Sequence, residues 1–230
     1  MVILNIETST HRCSAAITCN GKLLYEQHNN DGNHAHDLPL FIDTLLNLLR
    51  TDGLHLDAVA LSQGPGSYTG LRIGTATAKG LCYGLNIPLL PIDTLQIVAA
   101  AAIRMIPENS LLCPMIDARR MEVYCALYNK QLERLTEIEP KVIDKQSFAN
   151  ELNEHLIYFV GNGSTKCKDV LQHHNAQFIE NIEADALTMG VLAEEAFQQN
   201  RIADLAYFDP FYLKEFQATI SRRTEFVLGK

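Results

Sequence analysis

The stretch SQGPGSYTGLRIG, Ser62–Gly74, constrains the fold more than any other part of the chain. Gly64, Gly66, Gly70 and Gly74 follow the apolar run DAVAL and precede a run with helical periodicity. A glycine turn between a strand and a helix is a place where backbone N–H groups cradle phosphate. It is equally a place where a missing Cβ lets two backbones approach closely. The stretch matches neither familiar phosphate pattern. A Walker A loop needs Lys and Ser/Thr after its last glycine, and Leu71 follows Gly70 here. The dinucleotide pattern G-x-G-x-x-G fails by one residue. A backbone-only anion nest ahead of the helix stands as the alternative.

Packing has more support. Gly70, Gly74 and Ala78 recur at i, i+4 and i+8, and Ala76, Gly80 and Gly84 do the same on an adjoining row. Glycine costs about 1 kcal/mol per helical position relative to alanine, so this density needs a reason. Leu71, Gly74, Ala78, Leu81 and Leu85 form the face expected against a sheet. Ile73, Ala76, Gly80 and Tyr83 form a second stripe, and a second stripe implies a partner helix.

The elements around this stretch read as an α/β chain. VILNIET (2–8) is a buried strand. CSAAITC (13–19) and KLLYEQH (22–28) form a hairpin across Asn20-Gly21. Leu38, Phe41, Ile42, Leu45 and Leu49 mark an amphipathic helix over 37–50, with Pro39 in its first turn. A strand at 56–62, a helix at 70–84, a strand at 88–92 and a helix at 94–106 complete this half. A looser version of the series then restarts: strands at 111–116, 122–129 and 156–164, a helical stretch at 145–155, and helices around 165–173 and 185–200. The predicted lobes are 1–107 and 108–230; the tail from 203 has no readable shape.

Candidate chemistry is sparse. In NIETST, Glu7 could carry magnesium while Thr8 and Ser9 donate to phosphate oxygens; a polar hairpin turn is the plainer reading. His34 and His36 diverge on a helix, no two histidines have H-x-x-x-H spacing, and the six cysteines show no C-x-x-C. No metal site is expected, and the cysteines read as buried hydrophobes of a reducing compartment. A net charge of −8 argues against a nucleic-acid footprint, the one local basic cluster being SRR at 221–223. With no apolar span long enough for a membrane and no basic leader, a cytoplasmic chain is expected.

NIETST, SQGPGSYTGLRIG, GLCYGLNIPLLPI and DARRMEVY, in that order, resemble the TsaB (YeaZ) family; GNGS at 161–164 and the closing YLK, where the family has Tyr-Leu-Arg, are weaker matches. The resemblance implies an actin/hexokinase/heat-shock-ATPase fold of two lobes, each a mixed β-sheet with flanking helices. It implies a non-catalytic subunit for N6-threonylcarbamoyladenosine at position 37 of tRNA. Its partners would be the catalytic paralogue TsaD and the ATPase TsaE, with a homodimer when alone and tRNA reached only through the complex. The partner interface is expected at Leu38, Phe41, Leu45, Ile73, Ala76, Gly80 and Tyr83. A vestigial nucleotide-like turn is expected at Glu7, Thr8, Ser9, Gly64, Gly66 and Ser67, with Glu7 where nucleotide-binding relatives have Asp. No cofactor is expected, ATP or ADP at a complex interface having no support in the sequence alone. The alternative is a free-standing ATPase or small-molecule kinase of the same superfamily. A glycoprotease, a reading from older family naming, finds no metal pair or nucleophile set here.

Overall fold

Asn20 and Gly21 both adopt positive φ, 49° and 70°, the backbone a two-residue hairpin needs. They join β2 (Cys13–Cys19) to β3 (Lys22–Asn29), and β1 (Val2–Glu7) pairs antiparallel with β2. The computed structural model describes residues 1–214. After β3 come α1 (His34–Thr51), β4 (Ala58–Gly64), α2 (Tyr68–Leu85) and β5 (Leu89–Asp93). β4 adds parallel to β1 and β5 parallel to β4, so the first sheet runs β3-β2-β1-β4-β5.

After α3 (Thr94–Ala102) the plan repeats. β6 (Ser110–Asp117), β7 (Glu122–Cys125) and β8 (Glu139–Val142) are antiparallel neighbours. β9 (Leu156–Val160) and β10 (Ala176–Ile179) add parallel on the other side of β6. The second sheet, β10-β9-β6-β7-β8, therefore has the strand order and directions of the first. Two such lobes are the actin/hexokinase-like arrangement.

The apolar side chains sort into layers. α1 and α2 cover one face of the first sheet through Leu38, Leu45, Val59, Ala78 and Cys82. α3 and α5 (Ala186–Gln198) lie between the sheets, in a core shared by Ile3, Leu90, Val98, Leu112, Val160 and Leu192. α4 (Ala149–Glu154) and the turn at Thr165–Cys167 cover the far face of the second sheet.

This layering corrects the expected lobes. The sheets separate between β5 and β6, but the helices do not follow a division at 107. α5 packs on the first sheet: Ala186 N donates to Ser14 Oγ at 3.0 Å, and Gly190 lies against Thr18 with no room for a Cβ. The segment from Ala203 also returns there, its N–H donating to Leu89 O at 2.9 Å.

Smaller differences have local causes. α1 starts at His34 rather than 37, because the buried His34 ring bonds Thr10 O at 2.9 Å and holds an extra turn ahead of Pro39. The expected helix at 165–173 is a single 3-10 turn. The strand expected over 122–129 ends at Cys125, beyond which Tyr128 makes isolated bridges to Leu112 and Arg134. β8 and β10, four residues each, carry too few residues to show a period. SRR at 221–223 lies outside the described residues.

Candidate functional site: the glycine loop and its helix

β1 delivers Glu7, Thr8 and Ser9 to the turn before β2, and the neighbouring β4 delivers the glycine loop beside them. The two are locked together. Ser67 N donates to Ser9 O at 2.7 Å, and Thr8 Oγ1 donates to Gly70 O at 2.8 Å. Ser67 Oγ accepts from Gly70 N at 3.3 Å and caps α2. A Cβ on Gly66, Gly70 or Gly74 would collide with Ser9 O, Thr8 O or Thr8 Oγ1 respectively. The space a phosphate would need between loop and turn is filled by the turn itself. The geometry favours packing.

Glu7 has no exposed surface. Oε1 accepts from Ser9 N at 2.6 Å, while Oε2 has no partner among the described residues. Burial pushes its carboxyl up to about 7, with the charge of Asp185 adding to the effect and the hydrogen bond from Ser9 N and the nearby Ser62 hydroxyl opposing it. An enclosed carboxyl with an engaged neighbouring Thr8 hydroxyl is poorly disposed to hold a magnesium-bound phosphate.

The two rows of small residues on α2 separate cleanly. Gly70, Gly74 and Ala78 are buried against the turn and sheet. On the other row, a Cβ on Gly80 or Gly84 meets nothing within 4 Å among the described residues. Ala76 is exposed beside them, Tyr83 is 84% exposed, and Ile73 is half-buried. Sequence spacing places Ile73, Ala76, Gly80 and Tyr83 on one outward stripe, and the structure brings them together.

α1 contributes differently from expectation. Leu38 and Leu45 are fully buried in the chain's own core, because their i, i+7 spacing puts both on the sheet-facing side of α1. They cannot line a partner surface. Phe41 stays half-buried at the edge, and the apolar exposure on α1 comes from Leu40 and Leu48, at 55% and 39%. A period count finds the buried stripe; it does not find isolated leucines left outside it.

The second lobe repeats the loop. Gly161-Asn162-Gly163-Ser164 follows β9 as Gly64-Pro65-Gly66-Ser67 follows β4. Asn162 Oδ1 accepts from Asp117 N at 2.9 Å, and Gly163 N donates to Met115 O at 3.0 Å, so this loop also grips its lobe's first strand. The two loops share the spacing G-x-G-S, a likeness left unused in the reading of the sequence. Among the described residues, no group of three or more His, Cys, Asp or Glu is placed to hold a metal.

The tRNA threonylcarbamoyladenosine biosynthesis protein TsaB of Haemophilus influenzae is 27% identical over 226 residues, 93% of this chain and 94% of that protein. YeaZ from Pseudomonas aeruginosa superposes with a TM-score of 0.78 at 26% identity, covering 92% of this chain and 99% of that one. The family model described as TsaD, tRNA N6-adenosine threonylcarbamoyltransferase, matches residues 28–222. The chain belongs to the TsaB/YeaZ branch of this family. Its fold alone extends further. The activator of 2-hydroxyisocaproyl-CoA dehydratase from Clostridium difficile, 11% identical, superposes with a TM-score of 0.50 over 87% of this chain and 97% of that one. For a TsaB/YeaZ chain, the loop that opened the question is an internal clamp, and the helix it starts presents the open surface.

Proposed function

We propose that the chain serves N6-threonylcarbamoyladenosine formation on tRNA as a non-catalytic subunit with no cofactor of its own. It pairs with the catalytic paralogue TsaD through the outer face of α2 and the edge of α1. The observation that carries this is the row Ala76, Gly80, Gly84, open around each glycine and flanked by the exposed Tyr83. Small residues on successive turns pack a second helix closely, and they are wasted against solvent. The pathway is that of the Haemophilus influenzae relative. The same face pairs two copies when the paralogue is absent, as an isologous contact. TsaE joins the assembled pair, and tRNA meets the complex rather than this acidic chain alone.

Gly80→Arg tests the reading, because a Cβ there meets nothing within 4 Å among the described residues and the arginine blocks a helix from approaching. Loss of co-purification with TsaD, loss of tRNA modification in a reconstituted reaction and a monomer in sedimentation are the expected results. Complex and modification both intact would overturn it. Saturable ATP binding in calorimetry, abolished by Glu7→Ala, would instead favour the ATPase or kinase reading.

A further inference from the structure

α2 contains Gly70, Gly74, Gly80 and Gly84, so its own backbone supplies little rigidity. Tertiary ties hold it instead. Its first turn is held by Thr8 and Ser67. Further along, Lys79 Nζ donates to the carbonyls of Ala206 and Phe208 at 3.3 and 3.1 Å. Both carbonyls belong to a segment outside every helix and strand. That segment starts on β5, where Ala203 N bonds Leu89 O. It crosses the end of β4, where Phe211 N donates to Gln63 O at 2.7 Å. The Tyr212 ring then sits 5.0 Å from Tyr68, the first residue of α2, and Lys214 pairs with Glu122 on β7.

We infer that residues 203–214 are a strap that holds α2 in the conformation its outer face presents to a partner, and so sets the affinity of that face. This rests on the pairing proposed above. Lys79 lies three and four residues from Ala76 and Tyr83, so the strap grips α2 at the edge of the face that docks. A face of small residues offers little side-chain area, and its affinity depends on the backbone already being in place. The strap's polar ties are single contacts, to which Ala203, Leu205 and Phe208 add partly buried apolar packing against the core under α2. Tyr207 is 85% exposed, and an open cleft of about 610 Å³ lies between the strap and Gln63 and Pro91. Such a segment detaches at lower free energy than the core opens. Because Lys214 pairs with Glu122 on β7, movement of the second lobe's hairpin reaches α2 through the strap.

The test uses the full chain with purified TsaD. Lys79→Met keeps the aliphatic stem and removes the donor; Tyr212→Ala removes the ring contact; Lys79→Arg restores a donor. Titration calorimetry, hydrogen exchange over residues 68–80 and thermal melts are read together. Lys79→Met and Tyr212→Ala are expected to weaken the Kd by about tenfold. Exchange in α2 is expected to quicken with little change in Tm, and Lys79→Arg to return the Kd. Parent-like affinity in both loss variants, with Gly80→Arg still unable to bind, overturns the strap and leaves the pairing standing. A weakened Kd that only tracks a lowered Tm, unrescued by Lys79→Arg, overturns it as well. If Gly80→Arg itself binds, the pairing fails, and the strap with it.

Discussion

Glu7 shows how a single residue records the closing of the turn. Its carboxyl is enclosed, takes one hydrogen bond from Ser9 N and leaves Oε2 bare. The consequence is a pH dependence with a definite sign. Below the ordinary value of 4.5, folded and unfolded chains both hold the proton. Between 4.5 and about 7 only the folded chain holds it. Stability therefore falls as pH rises through that window and levels off above it, a total of roughly 3 kcal/mol for a shift of this size. Glu7→Gln keeps the shape and the bond from Ser9 N without the charge. It should melt several degrees above the parent at pH 8, and the gain should vanish near pH 4. Parallel melts of the two proteins at both pH values decide it, and an equal difference at both would show that Glu7 is not held protonated.

α2 is the element in which the sequence argument succeeded and also reached its limit. Counting small residues divided it into two rows, and the structure gives those rows opposite surroundings: Thr8 and Leu61 beside Gly74, open space beside Gly80. Alanine scanning should therefore change sign along one helix. Gly80→Ala should stabilise by about 0.5–1 kcal/mol through helix propensity alone. Gly70→Ala should destabilise by about 1–3 kcal/mol, since its Cβ meets the Thr8 carbonyl and neither backbone can yield. Urea unfolding of both proteins checks the pair, and like signs would refute the division. Periodicity was legible for α1 and α2 because each is long, while β1, β2 and β4, buried on both faces, were legible as unbroken apolar runs. It failed for Leu38 and Leu45, since an apolar residue on a helix reads the same whether it faces its own sheet or a partner. It failed for β8 and β10 because four residues hold too few alternations. The bonds from Lys79 to residues 206 and 208 span more than a hundred positions, and no local pattern announces them.

Across the whole molecule, the duplicated sheets suggest two independent lobes, and the packing between them argues otherwise. The central core takes Ile3 and Leu90 from the first sheet, Leu112 and Val160 from the second, and Met189 and Leu192 from α5. Polar ties cross at the same level. Asp93 caps α3 through Leu95 N at 2.8 Å, and its other oxygen meets Tyr128 OH and Arg134, both at 3.4 Å. Burial lifts the Asp93 carboxyl to about 6 against the pull of Leu95 N and Arg134. Lys130 Nζ donates to the carbonyls of Ile103 and Ile106 at 2.6 and 2.5 Å, closing the end of α3 from the second lobe. Separating the lobes would expose the faces of α3 and α5 that are buried between them, so neither lobe is a minimum without the other. Calorimetric unfolding should accordingly show one transition, with calorimetric and van't Hoff enthalpies in agreement. Lys130→Met should lower its midpoint without splitting it, losing about 1.5–3 kcal/mol per charged hydrogen bond removed. Two resolved transitions in the parent would mean that the lobes fold separately. With the lobes joined in this way, the outer row of α2 stays exposed while the core between the sheets stays closed.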